Sequence, residues 1–343
     1  MTAIGRPRLE RVLIISDAWR PQVNGVVRTL SMTAAELRHL GHIVEVIGPD
    51  RFVTLPCPTY PEIRLSLLPR RRLARMIESF MPCCLHIATE GPLGTAARGW
   101  AVRRQYRFTT AFHTRLPDYL KARTGIPTGL AYAWLRRFHA ASSGLMVATP
   151  SLRTELAGRG FSNLRSWSRG VDLDLFRPAP REAWNLPRPI FLHVGRIAVE
   201  KNIRAFLDLD LPGSKVVVGG GPQLAALRRQ YPAITFTGPR HGPDLARAYA
   251  GGDVFVFPSR TDTFGLVLLE ALACGTPVAA FPVTGPIDII TDKRIGTTDT
   301  DLRAAALAAL DADREACRAH AERFSWRASA EAFLANLMPL DDA

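Results

Sequence analysis

Asp262 and Glu270 lie eight residues apart in the segment SRTDTFGLVLLEALACGTPV (259–278). The first precedes a helical stretch, and the second falls inside it among apolar neighbours. A carboxylate there is costly without a partner, so Glu270 reads as an acceptor of hydrogen bonds from hydroxyls such as those of a ribose. The start of that helix, around Thr263 to Leu266, offers free N–H groups to a phosphate. Upstream, Arg196 and Lys201 share one strand-to-helix connection in HVGRIAVEKN (193–202). Two cations beside a helix N-terminus suit a diphosphate better than a carboxylate. Glu200 reads as a local ion partner of Lys201.

Other segments sit at predicted strand ends. In SDAWRPQVNGVVRTL (16–30), Asn24 and Gly25 stand where a helix begins. They form either an ordinary capped turn or a point where backbone approaches an anion, which the helix N-terminus favours. His113 ends a strand in AFHTRLPDY (111–119). It reads either as a buried histidine with its hydrogen bonds met or as a group pointing into a cleft. The run Gly219–Gly220–Gly221 before Pro222 lets backbone approach a flat base or ribose, but it is not the spaced glycine pattern of dinucleotide folds.

The elements that position these segments follow one rhythm. Short apolar runs at 12–16, 44–48, 85–88, 109–113 and 145–150 read as strands, and helical patterns separate them, including 26–40 and one capped by Ser151. Residues 160–189 hold four prolines, show no clear period, and read as a linker. Strands resume at 190–195, 215–219, 234–238, 254–258 and 277–281, and helices lie between them. The tail from Asp301 is helical. Buried strands alternating with helices imply parallel sheets, so the expected fold is α/β with two Rossmann-like, doubly wound units facing a cleft. A length of 343 residues, 47% of them hydrophobic, is enough for two cores and excludes general disorder.

The net charge of +13 is unevenly spread. Residues 1–166 carry 24 Lys and Arg against 10 Asp and Glu, while residues 167–343 are near neutral at −1. A one-sided positive field suits nucleic acid, an anionic membrane surface or an anionic substrate. Arg70, Arg71, Arg72 and Arg75 have near-helical spacing and precede Met76, Ile77 and Phe80, apolar groups expected to enter a membrane interface. No apolar run is long enough to span a bilayer, and the first 19 residues lack a leader's apolar stretch. The five cysteines have neither a disulfide framework nor metal-ligand spacing. The expectation is a cytoplasmic chain, peripheral on the inner face of the membrane.

The Asp262–Glu270 segment resembles the Glu-x7-Glu signature of retaining nucleotide-sugar glycosyltransferases with the two-Rossmann GT-B fold, family 4. The resemblance extends over nearly the whole chain through the NGV loop, the AFHT histidine, SRGVDLDLFRP, GRIAVEKN and the final FSW helix. Two positions depart from the pattern. Asp262 replaces the first Glu, and Arg169 stands where the family commonly has Asn. TDTFG is similar to enzymes that glycosylate lipids, including diacylglycerol glucosyl- and sulfoquinovosyltransferases and mannosyltransferases.

The resemblance implies an acceptor-binding domain over 1–165, a nucleotide-sugar domain over 166–323, and a C-terminal helix over 324–343 that crosses back to the first. It implies that Arg196 and Lys201 neutralise the donor diphosphate, which the Gly25 amide approaches from the other domain. Asp262, with the backbone of Thr263, Phe264 and Gly265, holds the donor sugar, and Glu270 the ribose. His113 lies near the sugar C6 or the acceptor, Asp17 and Arg115 lie on the acceptor side, and Gly238 and Arg240 border the base. The implied reaction moves a hexose with retention from a UDP-glucose-like donor to a membrane lipid such as diacylglycerol. The alternative is a GDP-mannose-dependent mannosyltransferase acting on a lipid or polysaccharide.

No metal or cofactor is expected, because the cations stabilise the leaving group. The Asp172–Asp174 and Asp208–Asp210 pairs look like metal-binding triplets, but such triplets are common by chance. A nucleotide-sugar epimerase is the runner-up enzyme and would need acid and base carboxylates in the cleft. Nucleic acid is not expected as a partner, since no recognition motif accompanies the charge.

Overall fold

In the computed structural model, residues 11–22, 24–57, 60–125, 127–181 and 183–340 are described. The expectation about a leader rests partly on residues 1–10, which lie outside them. The first unit opens with β1 (Arg11–Ile15), α1 (Gly25–His39) and β2 (Ile43–Ile47). A hairpin of β3 (Thr54–Cys57) and β4 (Tyr60–Ser66) leads into α2 (Arg70–Phe80), β5 (Cys84–Ile87) and α3 (Pro92–Arg103). Then come β6 (Thr109–Ala111), α4 (Leu116–Thr124), α5 (Thr128–His139), β7 (Gly144–Val147), α6 (Pro150–Gly158) and β8 (Leu164–Ser166).

The second unit runs β9 (Ile190–Val194), α7 (Arg204–Leu207), β10 (Ser214–Val218), α8 (Leu224–Gln230) and β11 (Thr235–Gly238). It continues through α9 (Gly242–Gly251), β12 (Val254–Phe257), α10 (Leu266–Ala273), β13 (Val278–Ala280), α11 (Pro286–Ile289) and β14 (Gly296–Thr298). The chain ends with α12 (Leu302–Ala308), α13 (Arg314–Ala321) and α14 (Trp326–Asn336).

Each unit is built on a six-stranded parallel sheet, ordered β2-β1-β5-β6-β7-β8 in the first and β11-β10-β9-β12-β13-β14 in the second. Helices cover both faces, so the central strands are buried on both sides and read as unbroken apolar runs. Val12 to Ile15 and Ile190 to Leu192 are fully enclosed. In each sheet the first strand is flanked by the second on one side and a later strand on the other. Strand order therefore reverses at β1/β5 and β9/β12, where open α/β sheets bind ligands beyond their carboxyl ends.

The linker expected over 160–189 contains β8, whose three residues are mostly exposed and carry no apolar signal. The β3–β4 hairpin and β14 are equally short of buried residues and were invisible to the apolar pattern. Helix α6 is capped by Thr149 rather than Ser151. Pro150 takes the first helical position, and the Thr149 side chain accepts the Leu152 amide. Ser151 is thereby freed to reach the second unit. In α2, Ile77 and Leu73 are buried, and Met76 and Phe80 pack against the same core. This corrects the expectation for Ile77, which is buried and cannot enter a membrane, while Met76 and Phe80 are half-buried. Arg70, Arg71, Arg72 and Arg75 are exposed.

After α13 the chain returns to the first unit, where α14 packs on α1. Phe333 is fully buried, 4.8 Å from the Trp167 ring centroid and 4.9 Å from that of His86. The tail then hydrogen-bonds to Cys83 and Arg107 through Leu340. Removing the Phe333 ring leaves a cavity among rigid aromatic groups. Phe333→Ala is expected to lower unfolding free energy by about 3–5 kcal/mol, measured by chemical denaturation, with unfolding of the first unit affected first.

Candidate active site

The loops that follow the carboxyl ends of the two sheets meet. Asn24 caps α1: its Oδ1 accepts the Val26 and Val27 amides at 3.0 Å each. Gly25 stands opposite α10, so that a Cβ on it would lie 3.7 Å from Leu266 Cδ1. Two helix N-termini thus converge from different units, each with partial positive charge. Gly265 caps α10 with φ of 90°, the left-handed region that glycine adopts without strain, and among the described residues no side chain makes a capping hydrogen bond there.

Lys201 lies beside this point. Its Nζ donates to Asp262 Oδ1 at 2.5 Å. Burial pushes the lysine down, but Asp262, Tyr119 and Glu200 around it prevail and hold it above its ordinary value. Asp262 Oδ2 is buried and has no hydrogen-bond partner among the described residues. One oxygen is committed to a cation, and the other is an acceptor in want of a donor. Arg196 is held along the same connection with Nε 3.9 Å from Glu200 Oε1. Thr261 fastens the Asp262 loop by donating to the Glu200 carbonyl.

Glu270 is 4% exposed. It pairs with Arg28 of α1, and its Oε2 accepts the Tyr249 hydroxyl at 2.9 Å. Burial pushes the carboxyl up, against the pull of Arg28 and Tyr249. Both oxygens therefore have protein partners, one of them from the opposite unit. Thr263 also reaches across, donating to the His113 carbonyl at 2.8 Å. His113 Nδ1 lies 3.3 Å from Arg169 Nη2, while its Nε2 is buried without a partner among the described residues. Burial and the neighbouring Arg169 hold this imidazole well below its ordinary value and therefore neutral. Arg169 is itself buried, stacked on Trp167, and bonded to the Trp167 carbonyl.

The remaining expected residues divide. Phe264 sends its side chain into the second core, leaving its backbone for any ligand. Gly238 has φ of 79° and open space where a Cβ would stand. Arg240 stacks on Trp184 at 4.6 Å. Two expectations need correction. Asp17 is not an open acceptor-side group: Oδ1 takes the Leu93 amide, and Oδ2 takes the Gly94 amide and the Thr89 hydroxyl. It is the cap of α3. Arg115 is likewise committed, forked onto Glu155 through Nη1 at 3.0 Å and Nη2 at 2.5 Å and 8% exposed. The triplet aspartates serve local structure, Asp172 capping its own turn and Asp208 accepting from Tyr231.

Sequence reasoning missed Arg28, Tyr249 and Tyr119. Arg28 lies one turn beyond Gly25 and was within reach of the helical period. Tyr249 is fully enclosed, and a buried phenol needs a polar partner. Tyr119 is packed near Lys201 and Asp262 from α4, and nothing in its sequence context signals that contact.

Two such units facing a shared cleft make up the GT-B fold. The fold matches sucrose-phosphate synthase from Thermosynechococcus elongatus with a TM-score of 0.74 over 95% of this chain and 98% of that one, at 21% identity. Residues 23–175 match the family described as Glycosyltransferase Family 4, and residues 188–313 the family described as Glycosyl transferases group 1. The GDP-mannose-dependent alpha-mannosyltransferase of Mycobacterium tuberculosis is 33% identical over 83% of this chain and 82% of its own length. Sulfoquinovosyl transferase SQD2 of Arabidopsis thaliana is 32% identical over 83% of this chain, which spans 61% of that protein. The chain belongs to the group 1, family 4 glycosyltransferases and uses a nucleotide-sugar donor.

Near the end of β9, His193 has its Nδ1 3.1 Å from the Val256 carbonyl. Burial lowers it to about 4. The folded state thus holds fewer protons than the unfolded chain between about 6.5 and 4, and stability is lost as pH falls through that window. Asp17 and Glu270, held above their ordinary values, act in the opposite direction. His193→Asn keeps a donor for Val256 and does not titrate. It should reduce the slope of unfolding free energy against pH by up to about 1.4 kcal/mol per unit, read from urea unfolding at pH 7, 6, 5 and 4.

Proposed function

We propose that the chain transfers a hexose from a nucleoside diphosphate sugar to a lipid acceptor, with retention and without a metal ion, and that the hexose is mannose carried on GDP. The observation that carries the transfer reading is Asp262. One of its oxygens neutralises Lys201, and the other is buried and partnerless beside the converging ends of α1 and α10. A sugar hydroxyl supplies the missing donor, and Lys201, Arg196 and the Gly25 turn lie where a diphosphate would gain negative charge as the anomeric bond breaks. Fixed cations do for that charge what a divalent ion does elsewhere, which supports the metal-free reading. The names of similar proteins favour GDP-mannose over the UDP-glucose-like donor suggested by the sequence. The word alpha in those names fits retention from an α-linked donor.

In this reading, residues 1–165 hold the acceptor and 166–323 the donor, and the helix after 324 ties them together. His113, neutral and with a partnerless Nε2, accepts from a hydroxyl of the sugar or acceptor. Glu270 takes the ribose hydroxyls when Arg28 releases it. Gly238 and Arg240 border the base. The basic first half supports peripheral attachment to an anionic membrane surface on the cytoplasmic side. Among the described residues, no helix is long and apolar enough to cross a membrane.

Incubating the protein with GDP-mannose, UDP-glucose and UDP-sulfoquinovose, with and without diacylglycerol vesicles, should give turnover with GDP-mannose, unchanged by EDTA, and an α-linked product. Lys201→Ala and Asp262→Ala should each lower kcat by about a hundredfold or more. A β-linked product, or dependence on added Mn²⁺, overturns the mechanism. Preference for a UDP-sugar overturns the donor assignment alone.

A further inference from the structure

The basic excess of the first unit is partly gathered into one cavity away from the cleft. Arg11, Arg51, Arg72 and Arg75 line it together with Glu45, Met76, Ser79 and Phe80, around a volume of about 640 Å³. It lies along the edge strand β2, between the start of β1 and the second half of α2. The cleft loop leaves β1 at its other end, five residues from Arg11, or about 16 Å along the strand. Four guanidinium groups face a single carboxylate here.

The structure fixes two of these arginines and leaves two open. Arg11 donates from Nε to the Phe80 carbonyl at 2.7 Å and lies over the Phe80 ring at 4.6 Å. Arg51 pairs with Glu45, the only acid of the lining. Arg72 lies 5.5 Å from the Phe52 ring centroid, which orients it without neutralising it. Neither Arg72 nor Arg75 forms an ion pair or hydrogen bond among the described residues. Preset cations with one acid between them form a site short of negative charge, and planar guanidinium forks match phosphoryl oxygens. Ser79 adds a hydroxyl to the same wall.

We propose that this cavity is a second anion site, which binds a phosphoryl group apart from the donor cleft. It does not rest on the glycosyl-transfer reading. The same chemistry is presented by a soluble phosphate compound and by the headgroup of a phosphatidate-type lipid. The exposed Val53 and Met81 follow Arg51 and Phe80 closely in the chain and offer apolar flanks to the latter.

The experiment uses the full chain and two probes. Inorganic phosphate is titrated against chloride at equal ionic strength, with melting temperature as the readout. Vesicles of phosphatidylcholine, with or without one-fifth phosphatidic acid, are tested by co-sedimentation. The variants are R72S/R75S at the cavity, R75E as an independent change there, R196A in the donor cleft, and R136S/R137S as removal of equal charge from α5. Saturable binding of at least one probe is expected for wild type, R196A and R136S/R137S. It should be weakened at least tenfold in R72S/R75S and in R75E. Response to phosphate without vesicle binding assigns a soluble ligand, and vesicle binding without a phosphate response assigns a lipid headgroup. The proposal is overturned if neither probe binds the wild type, if the cavity variants match it, or if R196A alone abolishes the response.

Discussion

Taking the Lys201 ammonium out of water costs several kcal/mol unless an anion meets it, and Asp262 does so at 2.5 Å. The chain around that pair is arranged to keep it. β9 delivers the loop holding Arg196 and Lys201, and β12, hydrogen-bonded beside β9 in the same sheet, delivers the loop holding Asp262. Thr261 ties the second loop to the Glu200 carbonyl of the first. The strand order of the sheet therefore brings together two residues sixty-one positions apart. Once they are paired, Asp262 has a spare oxygen in a dry position, a polar demand that the protein leaves unmet.

The second unit does not complete the cleft alone. Arg28 reaches Glu270, Thr263 reaches the His113 carbonyl, and Asp288 accepts both the amide and the hydroxyl of Ser151. These contacts use groups buried or half-buried at the seam, so parting the units leaves charges and donors to be rehydrated. The Glu270 pair has the most at stake, because a carboxylate 4% exposed would lose its one cation among the described residues if α1 withdrew. A nucleotide hydroxyl at Glu270 would compete with Arg28 for the same oxygen, linking donor occupancy to the position of α1.

The architecture was legible because parallel sheets impose continuous apolar strands, and β1, β9 and β12 announce themselves this way. Elements that bury little, such as β8 and the β3–β4 hairpin, carry no such mark. That Arg196, Lys201 and Asp262 come together was legible because they, like Glu270, lie in short segments with a strand end and a helix start. Partners supplied by other segments were not. Asp17 was misread because a carboxylate at a strand end looks the same whether it faces a ligand or caps a neighbouring helix, and only the arrival of α3 decides it. Arg115 was misread for the same reason, its partner Glu155 lying forty residues on. In α2 the arginines were seen, but the inward face of Ile77 depends on the core beneath it.

The polypeptide passes between the units twice, once before Val171 and once before Ser325, and the two passages touch. The Val171 amide bonds the Phe324 carbonyl at 3.0 Å. Gly170 lies so near the start of α14 that a Cβ would stand 2.4 Å from the Trp326 nitrogen. A single tether would let the halves swivel freely. Two tethers laced side by side restrict how the halves can turn about each other. Any side chain at position 170 would press the two passages apart, so their side-by-side course depends on a residue chosen for having none.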